Sequence, residues 1–458
     1  MRNNAKFDAK TPAEQEQAGR SIRERVRRKA HGLWKTPKGR PDPIDLLIDW
    51  NQGLIPELMP IRYGRMAKSP FTFLRGAAAV MASDLSRVPT TGIKVQASGD
   101  CHLMNFGAFA TPERNLIFDI NDFDETSQAP WDWDLKRLAT SIELAGCDAG
   151  FGPNARRRAV LGMVRSYRER SREYAAMQPL EIWYDRLDFG RLARRFKGKR
   201  DRARAKKDIS KARAHNVPSH LFPKLAARKG LSARISEQPP LIYHPTGERR
   251  IRYRKHVIRT LHTYQESLPA HLQVLFRQFE FRDLAMKVVG IGSVGTFCAI
   301  ALCMSADKQP LFLQIKEARK SVLEPFCGSS KFQNHGERVV VGQHLMQAAS
   351  DMFLGWTTGL DRNRHFYIRQ LCDMKVSIDV ETMEARDLAY HAELCGWALA
   401  RAHAKSGNAP MVAGYLGAGD AFDLAIATFA DSYAEQTEKD HAALLKAMKA
   451  GKIKVSNR

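Results

Sequence analysis

Two polar side chains in one short loop are the first candidates for a catalytic role. Asp100 and Asn105 stand five residues apart within Gly99–Asn105, between stretches with the alternating pattern of β-strands. In phosphoryl transfer an Asp so placed orients the attacking hydroxyl group, and the oxygen of an Asn on the same loop binds Mg²⁺. The spacing alone is weakly specific, and an ordinary Gly-Asp turn with a hydrogen-bonded Asn is the alternative.

An acidic segment begins 14 residues after Asn105, at the end of an apolar run. It contains four carboxylates, Asp119, Asp122, Asp124 and Glu125. Carboxylates this close repel one another unless a cation neutralises them, and a hard divalent ion prefers oxygen ligands. The pattern predicts Mg²⁺ ligands here. Asp119 and Asp122 are both candidates that spacing does not rank, and an acidic surface turn is the alternative.

A glycine-rich segment much later in the chain has the pattern Gly-x-Gly-x-x-Gly. Its candidate phosphate-binding residues are Gly290, Gly292, Ser293 and Gly295. Glycines let backbone amides approach phosphate oxygens closely. A dinucleotide-binding motif requires a helix next, but Phe297–Met304 has the sequence of a strand, and Lys316 follows in a further strand. This order is typical of the phosphate-covering hairpin of kinases. The alternative for Lys316 is an edge-strand lysine that points into water.

Further residues complete this hypothesis. Glu337, at the start of a predicted helix, could pair with Lys316 as the helix-C glutamate of kinases does, although Glu317 and Glu324 compete for that role. Gln370 lies in the predicted strand His365–Leu371, which could lie beside an adenine ring or be an interior strand without a ligand. We call Gly99–Asn105 the catalytic loop. Three arginines precede it in the chain and could bind phosphate or form ordinary salt bridges: Arg62, Arg65 and Arg75.

The length, charge and composition of the whole chain indicate what kind of protein positions these residues. Its 458 residues predict two or three packed units, and its charge of +24 favours an anionic partner. Apolar runs are too short to span a membrane, and seven widely spaced cysteines without a secretory signal favour reduced thiols in the cytoplasm. The segment 191–214 has 12 Lys or Arg and 2 Asp, typical of a solvated face or, alternatively, of a nucleic-acid-binding patch.

Composition and periodicity divide the chain into four segments. We predict a basic, partly disordered leader over 1–45 and a helical lobe with the catalytic loop over 46–282. A small strand-rich nucleotide lobe covers 283–380, and C-terminal helices over 381–458 complete the helical lobe.

Several of these motifs resemble a known bacterial family. The segments Ser69–Gly76, Gly99–Gly107 and 118–125 are similar to the family called domain of unknown function 2252, as are Phe366–Lys375 and Leu399–Gly407. The resemblance covers about residues 45 to 450. It implies a kinase-like relationship without naming a substrate.

The catalytic part is also similar to aminoglycoside and choline phosphotransferases. The matching segments are Gly99–Asn105, Asp122–Asp124 and Pro130–Leu135. This resemblance implies a catalytic role for Asp100, metal binding by Asn105 and Asp122, and a structural role for Asp134 at a helix start. Two departures are His102, one place early in the motif, and Ser98, where those enzymes usually have His.

The order of the motifs is unusual for a kinase-like chain. The catalytic loop precedes the glycine-rich segment 290–295, here called the glycine loop, whereas in kinases the glycine loop comes first. We therefore predict an α+β, protein-kinase-like bilobal fold that is circularly permuted and carries extra helices. The predicted function is ATP- and Mg²⁺-dependent phosphoryl transfer to an unidentified hydroxyl acceptor. Three alternatives remain: nucleotidyl transfer to protein on the same scaffold, a nucleotide-binding pseudokinase, and a basic nucleic-acid-binding protein.

Overall fold

The computed structural model describes residues 10–188, 190, 226–229, 232–359, 363–371 and 383–454. The basic block 191–214 therefore lies outside the described residues. The helices before residue 190 are α1 (Pro12–Arg25), α2 (Pro43–Trp50), α3 (Met59–Met66), α4 (Pro70–Gly76), α5 (Ala78–Leu85), α6 (Trp131–Asp148), α7 (Pro153–Ala175) and α8 (Pro179–Tyr184). Those that follow are α9 (Gly247–Ser267), α10 (Ala270–Phe276), α11 (Glu324–Cys327), α12 (His335–Met346), α13 (Ala385–Ser406), α14 (Ala409–Leu416) and α15 (Ala421–Lys449).

The strands form small antiparallel sheets and one larger sheet. Four short strands surround the catalytic loop: β1 (Lys94–Ala97), β2 (Phe106–Ala110), β3 (Leu116–Ile120) and β4 (Ser127–Pro130). The remaining strands are β5 (Ala226–Lys229), β6 (Ser232–Ile235), β7 (Ile242–Tyr243), β8 (Phe279–Lys287), β9 (Cys298–Ser305), β10 (Pro310–Ala318), β11 (Gly355–Thr358) and β12 (His365–Gln370). The chain is thus a mixed α+β protein, as the sequence predicted.

Within the segment 1–45, which we predict to be a basic leader, residues Pro12–Arg25 form the helix α1. Thr11 forms a capping box with Glu14, which satisfies the first amides of α1. At Gly19, α1 contacts α14 so closely that a Cβ atom would overlap the carbonyl oxygen of Met411. Arg28 also donates to the carbonyl of Leu416 at the end of α14. A basic segment is ordered here because its arginines bind carbonyl groups at a helix C-terminus.

The helical part of the molecule surrounds α6. All but two residues of α6 are buried, including Trp131, which packs in parallel against the ring of Tyr167 on α7. The helices α7, α13 and α15 share one hydrophobic core with α6. This core supports the short hairpin of β2 and β3, which pairs Phe106 with Ile120. The hairpin therefore carries Asn105 and the acidic segment on a rigid base.

The larger sheet has the strand order β11-β12-β10-β9-β8-β7, and each neighbouring pair is antiparallel. Lys316 and Gln314 project from the same face of β10, because alternate residues of a strand share a face. On the neighbouring strand β12 they lie opposite Tyr367 and Arg369. This face of the sheet is turned toward the hairpin of β2 and β3 together with the acidic segment that follows it, here called the acidic hairpin. Lys316 contacts Asp122 and Asp124 of this hairpin.

Two helices that precede the predicted boundary at residue 283 pack against the larger sheet. The helices α9 and α10 were assigned to the helical lobe, but Val257, Leu261 and Tyr264 of α9 pack in one core with Leu313 and Ile315 of the sheet. Strand β8 also begins at Phe279. A basic helix such as α9 has few apolar residues, so its sequence does not reveal which neighbour covers them. Among the described residues, the helices are all too short or too polar to cross a bilayer.

Candidate functional site

A narrow cleft collects most of the residues that the sequence singled out. The catalytic loop contributes Asp100, His102 and Asn105, and the acidic segment contributes Asp122, Asp124 and Glu125. The glycine loop contributes Gly290, Gly292 and Ser293 from the opposite side. The cleft encloses about 100 Å³. Stretches almost two hundred residues apart in the chain therefore line one space.

The glycine loop covers the catalytic loop directly. A Cβ atom on Gly292 would lie 3.6 Å from Oδ2 of Asp100. Gly290 and Gly295 have φ angles of +63° and +100°, which L-residues with side chains rarely adopt. Without glycines the chain could not make this turn and approach Asp100 so closely.

Two arginines hold the glycine loop by its carbonyl groups. Arg62 of α3 donates to the carbonyls of Ile291 and Val294, each at 3.1 Å, and Arg65 donates to that of Gly290. Burial lowers the pKa of Arg62 to about 10, so it stays charged at neutral pH. In a trans peptide the next N–H points opposite to the carbonyl. The amide that follows Ile291 therefore points away from Arg62.

Lys316 joins the sheet to the acidic hairpin. Its Nζ atom lies 2.6 Å from Oδ2 of Asp124 and 3.5 Å from Oδ1 of Asp122. Tyr367 donates to the other oxygen of Asp124 at 2.5 Å. The side chain of Lys316 is only 2% exposed. Burial alone would lower the pKa of Lys316, but the two carboxylates raise it well above its usual value, so the ammonium is charged.

Asp100 is paired with an arginine that the sequence analysis did not identify. Arg137 of α6 donates to Oδ1 of Asp100 through Nε at 2.8 Å and through Nη2 at 2.5 Å. Asn105 donates from Nδ2 to the backbone carbonyl of Asp100 at 2.7 Å, so this bond leaves its Oδ1 available for another partner. The sequence feature that could have identified Arg137 is its position about one helical turn after Asp134, on the same side of the helix.

The catalytic loop is anchored by Asp134 at the start of α6. Its carboxylate accepts from the amides of Ser98 at 2.7 Å and Gly99 at 3.0 Å. His403 of α13 lies 3.3 Å from the same carboxylate, and its other ring nitrogen contacts the hydroxyl of Tyr167 at 2.8 Å. Asp134 thus has the structural role that the phosphotransferase resemblance implies. His403 is buried and forms part of this support.

Glu125 links the acidic hairpin to the chain that follows Lys316. Its Oε2 accepts from the amide of Val322 at 2.8 Å, and its backbone carbonyl accepts from the hydroxyl of Ser321 at 2.6 Å. Burial raises the pKa of Glu125 to about 7. These hydrogen bonds therefore hold the acidic hairpin against the chain that follows Lys316, beside the catalytic loop.

Asp119 is not brought into the cleft, which corrects its place among the predicted metal ligands. Its carboxylate is fully buried and accepts two hydrogen bonds from Arg401 of α13, at 2.8 and 2.7 Å. The amide of Ala348 donates to it as well, at 2.8 Å. Asp119 points toward the helical core because its strand alternates, whereas Asp122 lies beyond the strand end and lines the cleft.

The predicted pair of Glu337 with Lys316 does not occur among the described contacts. Lys316 is neutralised by the acidic hairpin, and the backbone amide of Glu337 caps α12 by donating to Asn334. The competing candidates have other partners as well, since Glu317 binds Arg364 at 2.6 Å and Glu324 lies 3.9 Å from Arg338. The neighbour of Glu337, Arg338, instead binds backbone carbonyls of the acidic segment.

Gln370 lines a second, larger cavity of about 430 Å³ at the end of the sheet. Gln314, Arg369 and Asn121 line it too. Arg369 donates to the side-chain oxygen of Gln314 at 3.1 Å and to the carbonyl of Asn121 at 3.0 Å. Since Asn121 immediately precedes Asp122, this cavity lies beside the acidic hairpin.

Comparison with known proteins gives one match. A family model described as "Uncharacterized protein conserved in bacteria (DUF2252)" matches residues 54–447. The chain belongs to this family. The matched range includes the catalytic loop, the acidic segment, the glycine loop and Lys316. No curated protein and no solved structure matches the chain.

The oxygen atoms that line the cleft are of the kind that Mg²⁺ prefers as ligands. Asn105 and Asp122 each offer oxygen atoms to the cleft. In the part of the chain that the structure describes, no group of three or more His, Cys, Asp or Glu side chains could hold a metal ion by itself. Mg²⁺ at phosphate-transfer sites is typically bound by one or two protein oxygens together with substrate phosphates.

Gly99 offers a direct test of the catalytic loop in this family member. Its φ is +79°, and a Cβ atom would lie 2.5 Å from the carbonyl oxygen of Glu125. Gly53 has a φ of +78° with no atom within 4 Å of a Cβ position, so it is a matched control. We expect Gly53→Ala to lower the free energy of unfolding by about 1–2 kcal/mol and Gly99→Ala by at least about 3 kcal/mol. Equal losses in urea titrations would mean that the loop does not pack against Glu125.

His102 gives the catalytic loop a distinctive pH dependence. Burial lowers its pKa to about 4. Between about pH 6.5 and pH 4 the unfolded chain binds a proton there that the folded chain does not, so folding stability falls as pH falls. We expect wild type to lose about 2 kcal/mol more than His102→Gln between pH 7.5 and 5.0 in urea titrations. Equal losses in the two proteins would contradict a buried neutral imidazole.

Proposed function

We propose that this protein is an ATP- and Mg²⁺-dependent phosphotransferase that acts on a hydroxyl group. The observation that carries the proposal is the contact of Lys316 with Asp124 and Asp122 beneath a glycine loop that covers Asp100. Phosphoryl transfer needs a phosphate-binding loop, a cation for the phosphates, oxygen ligands for Mg²⁺ and a group that orients the acceptor. The glycine loop, Asp100, Asn105 and Asp122 line one cleft, and Lys316 lies against Asp122 and Asp124.

We further propose a kinase-like arrangement in permuted order. A strand, a glycine loop, a strand and a lysine-bearing strand followed by a helix is the order in the nucleotide-binding part of kinases. Here these elements are β8, the glycine loop, β9, β10 and α12. The catalytic loop and the acidic hairpin precede them in the chain. This proposal accounts for why motifs in an unusual order meet in space.

The roles of the side chains follow from their contacts. Oδ1 of Asp100 is engaged by Arg137, so Oδ2 is the oxygen that accepts the proton of the acceptor hydroxyl. The hydroxyl oxygen then bonds to the terminal phosphorus of ATP, and the bond from that phosphorus to the bridging oxygen of ADP breaks. Lys316 and the amides of the glycine loop bind the phosphates. A magnesium ion held by Asn105 and Asp122 would neutralise the charge of the phosphate oxygens.

The cavity beside Gln370 is our candidate for the adenine end of the nucleotide. Its volume of about 430 Å³ suits a nucleobase and ribose, whereas the cleft itself encloses only about 100 Å³. Gln314 lines this cavity and lies two residues before Lys316 on the same face of β10. Binding of a triphosphate therefore requires the glycine loop to move away from Asp100.

Product analysis tests the proposal. Purified protein is incubated with Mg–ATP and fractions of a metabolite extract, and the nucleotide products are separated by chromatography. ADP together with a phosphorylated product supports phosphotransfer. AMP and pyrophosphate would replace it with nucleotidyl transfer, and nucleotide binding without any turnover would leave a pseudokinase.

A further inference from the structure

Arg75 is a cation in the cleft that the proposed mechanism does not use. It lies in α4 and lines the cleft together with Asp100 and Gly292. Its Nε atom is buried and has no hydrogen-bond partner. Within the described ranges, no carboxylate forms a salt bridge with Arg75, and its guanidinium lies 5.7 Å from the ring centre of Phe71.

The other arginines around the cleft have clear partners. Arg137 binds Asp100, Arg62 binds carbonyls of the glycine loop, and Arg319 donates to the carbonyls of Trp50 and Gln52. Burial lowers the pKa of Arg75, and the charge of Asp100 only partly opposes this. A guanidinium that is largely removed from water without an anion is costly, so its position is best explained by an anion that binds later.

The surroundings of Arg75 define which anion fits. Its backbone carbonyl oxygen would lie 3.3 Å from a Cβ atom on Gly292, so the glycine loop packs on this turn of α4. Asp100, which orients the acceptor in the proposed function, is close enough for its charge to raise the pKa of Arg75. A guanidinium matches the geometry of phosphate oxygens through paired N–H groups. An anion at Arg75 would therefore lie where the phosphoryl group is transferred.

We propose that Arg75 forms a phosphate subsite in the cleft, between the glycine loop and Asp100. The inference rests on the proposed function. The phosphate is either the terminal phosphoryl group of the nucleotide or an anionic group on the acceptor, and the two sources share the same chemistry. Arg75 then discriminates between ligands with and without that group.

Nucleotide titration calorimetry with Mg²⁺ tests the first source. The probes are ADP and the non-hydrolysable triphosphate analogue AMPPNP, and the proteins are wild type, Arg75→Gln and Arg87→Gln. Arg87 is an exposed arginine that bonds to the carbonyl of Gly39, so its variant has the same loss of charge outside the cleft. We expect Arg75→Gln to weaken AMPPNP binding about ten- to hundredfold while ADP binding changes less than about twofold. Arg87→Gln should match wild type.

Titration with inorganic phosphate tests the second source. If the subsite receives the acceptor, wild type saturated with Mg–AMPPNP binds inorganic phosphate and Arg75→Gln does not. Loss of triphosphate preference or loss of phosphate binding in Arg75→Gln supports the subsite and identifies its source. A folded Arg75→Gln protein that resembles wild type in both titrations overturns the proposal.

A third titration separates this inference from the proposed function. Inorganic phosphate is added to protein without nucleotide. If wild type binds no Mg–nucleotide but does bind phosphate through Arg75, the phosphotransferase proposal fails while the phosphate subsite stands. Circular dichroism and thermal unfolding of each variant establish that the lost binding is not lost folding.

Discussion

Replacing Asp100 by Asn should lower the rate of ADP formation by about a thousandfold, because positioned acid–base groups typically contribute 10²–10⁴ in rate. The amide cannot take the proton from the acceptor hydroxyl, yet it keeps the size of the side chain. Affinity for Mg–nucleotide should change little, since the proposed mechanism gives Asp100 contact with the acceptor hydroxyl and not with the phosphates. The measurement combines steady-state product formation with calorimetric nucleotide binding on the same preparation.

The matched control is Asp307→Asn, in the exposed turn between β9 and β10. It removes one carboxylate from the surface of the sheet and should retain the wild-type rate. If Asp100→Asn forms ADP as fast as this control, Asp100 does not handle the acceptor proton. Equal loss of nucleotide binding and turnover would instead make Asp100 a structural residue.

Replacing Lys316 by Met should affect both stability and nucleotide binding. Breaking one side of a buried ion pair costs about 3–5 kcal/mol, and the lower figure applies because Asp122 and Asp124 remain 34% and 27% exposed. The two carboxylates then repel each other without a cation. We expect a loss of about 3 kcal/mol in urea titrations with chelator present, and nucleotide affinity at least about tenfold weaker.

Magnesium should partly rescue the Lys316→Met protein, because a divalent ion can neutralise the same carboxylates. The double variant Lys316→Met/Asp124→Asn removes one of the uncompensated charges and should recover stability without metal. A Lys316→Met protein as stable as wild type would contradict the ion pair. A double variant less stable than Lys316→Met would show that the loss came from packing instead of charge.

The local sequence was sufficient to predict the elements that depend only on residues close together in the chain. The spacing of Gly290, Gly292 and Gly295 predicted a loop between two strands, and β8 and β9 flank it. Lys316 was predicted inside a strand because the residues around it are apolar, and β10 contains it. Helix α4 likewise begins after Ser69, where a Ser-Pro pair caps its first turn. These patterns act through neighbours in the chain.

The local sequence was insufficient where a distant partner decides the role of a side chain. Asp119 and Asp122 are equivalent by spacing, and only Arg401, 282 residues away, fixes Asp119 in the core. The acidic hairpin, rather than Glu337, neutralises Lys316. Arg137 is the partner of Asp100, although an arginine in an amphipathic helix usually faces water. Tertiary contacts of this kind leave no local pattern.

The most direct test of the central claim is calorimetric titration of Mg–AMPPNP into wild type and Asp122→Asn. We predict nucleotide binding that requires Mg²⁺ in wild type and is weakened at least about tenfold by the substitution, because in the proposed function Asp122 would supply one of the two protein oxygens that hold the metal. The control Asp307→Asn should bind as wild type does. Absence of binding in wild type, or binding that depends on neither Mg²⁺ nor Asp122, would contradict a magnesium–nucleotide cleft between the glycine loop and the acidic hairpin.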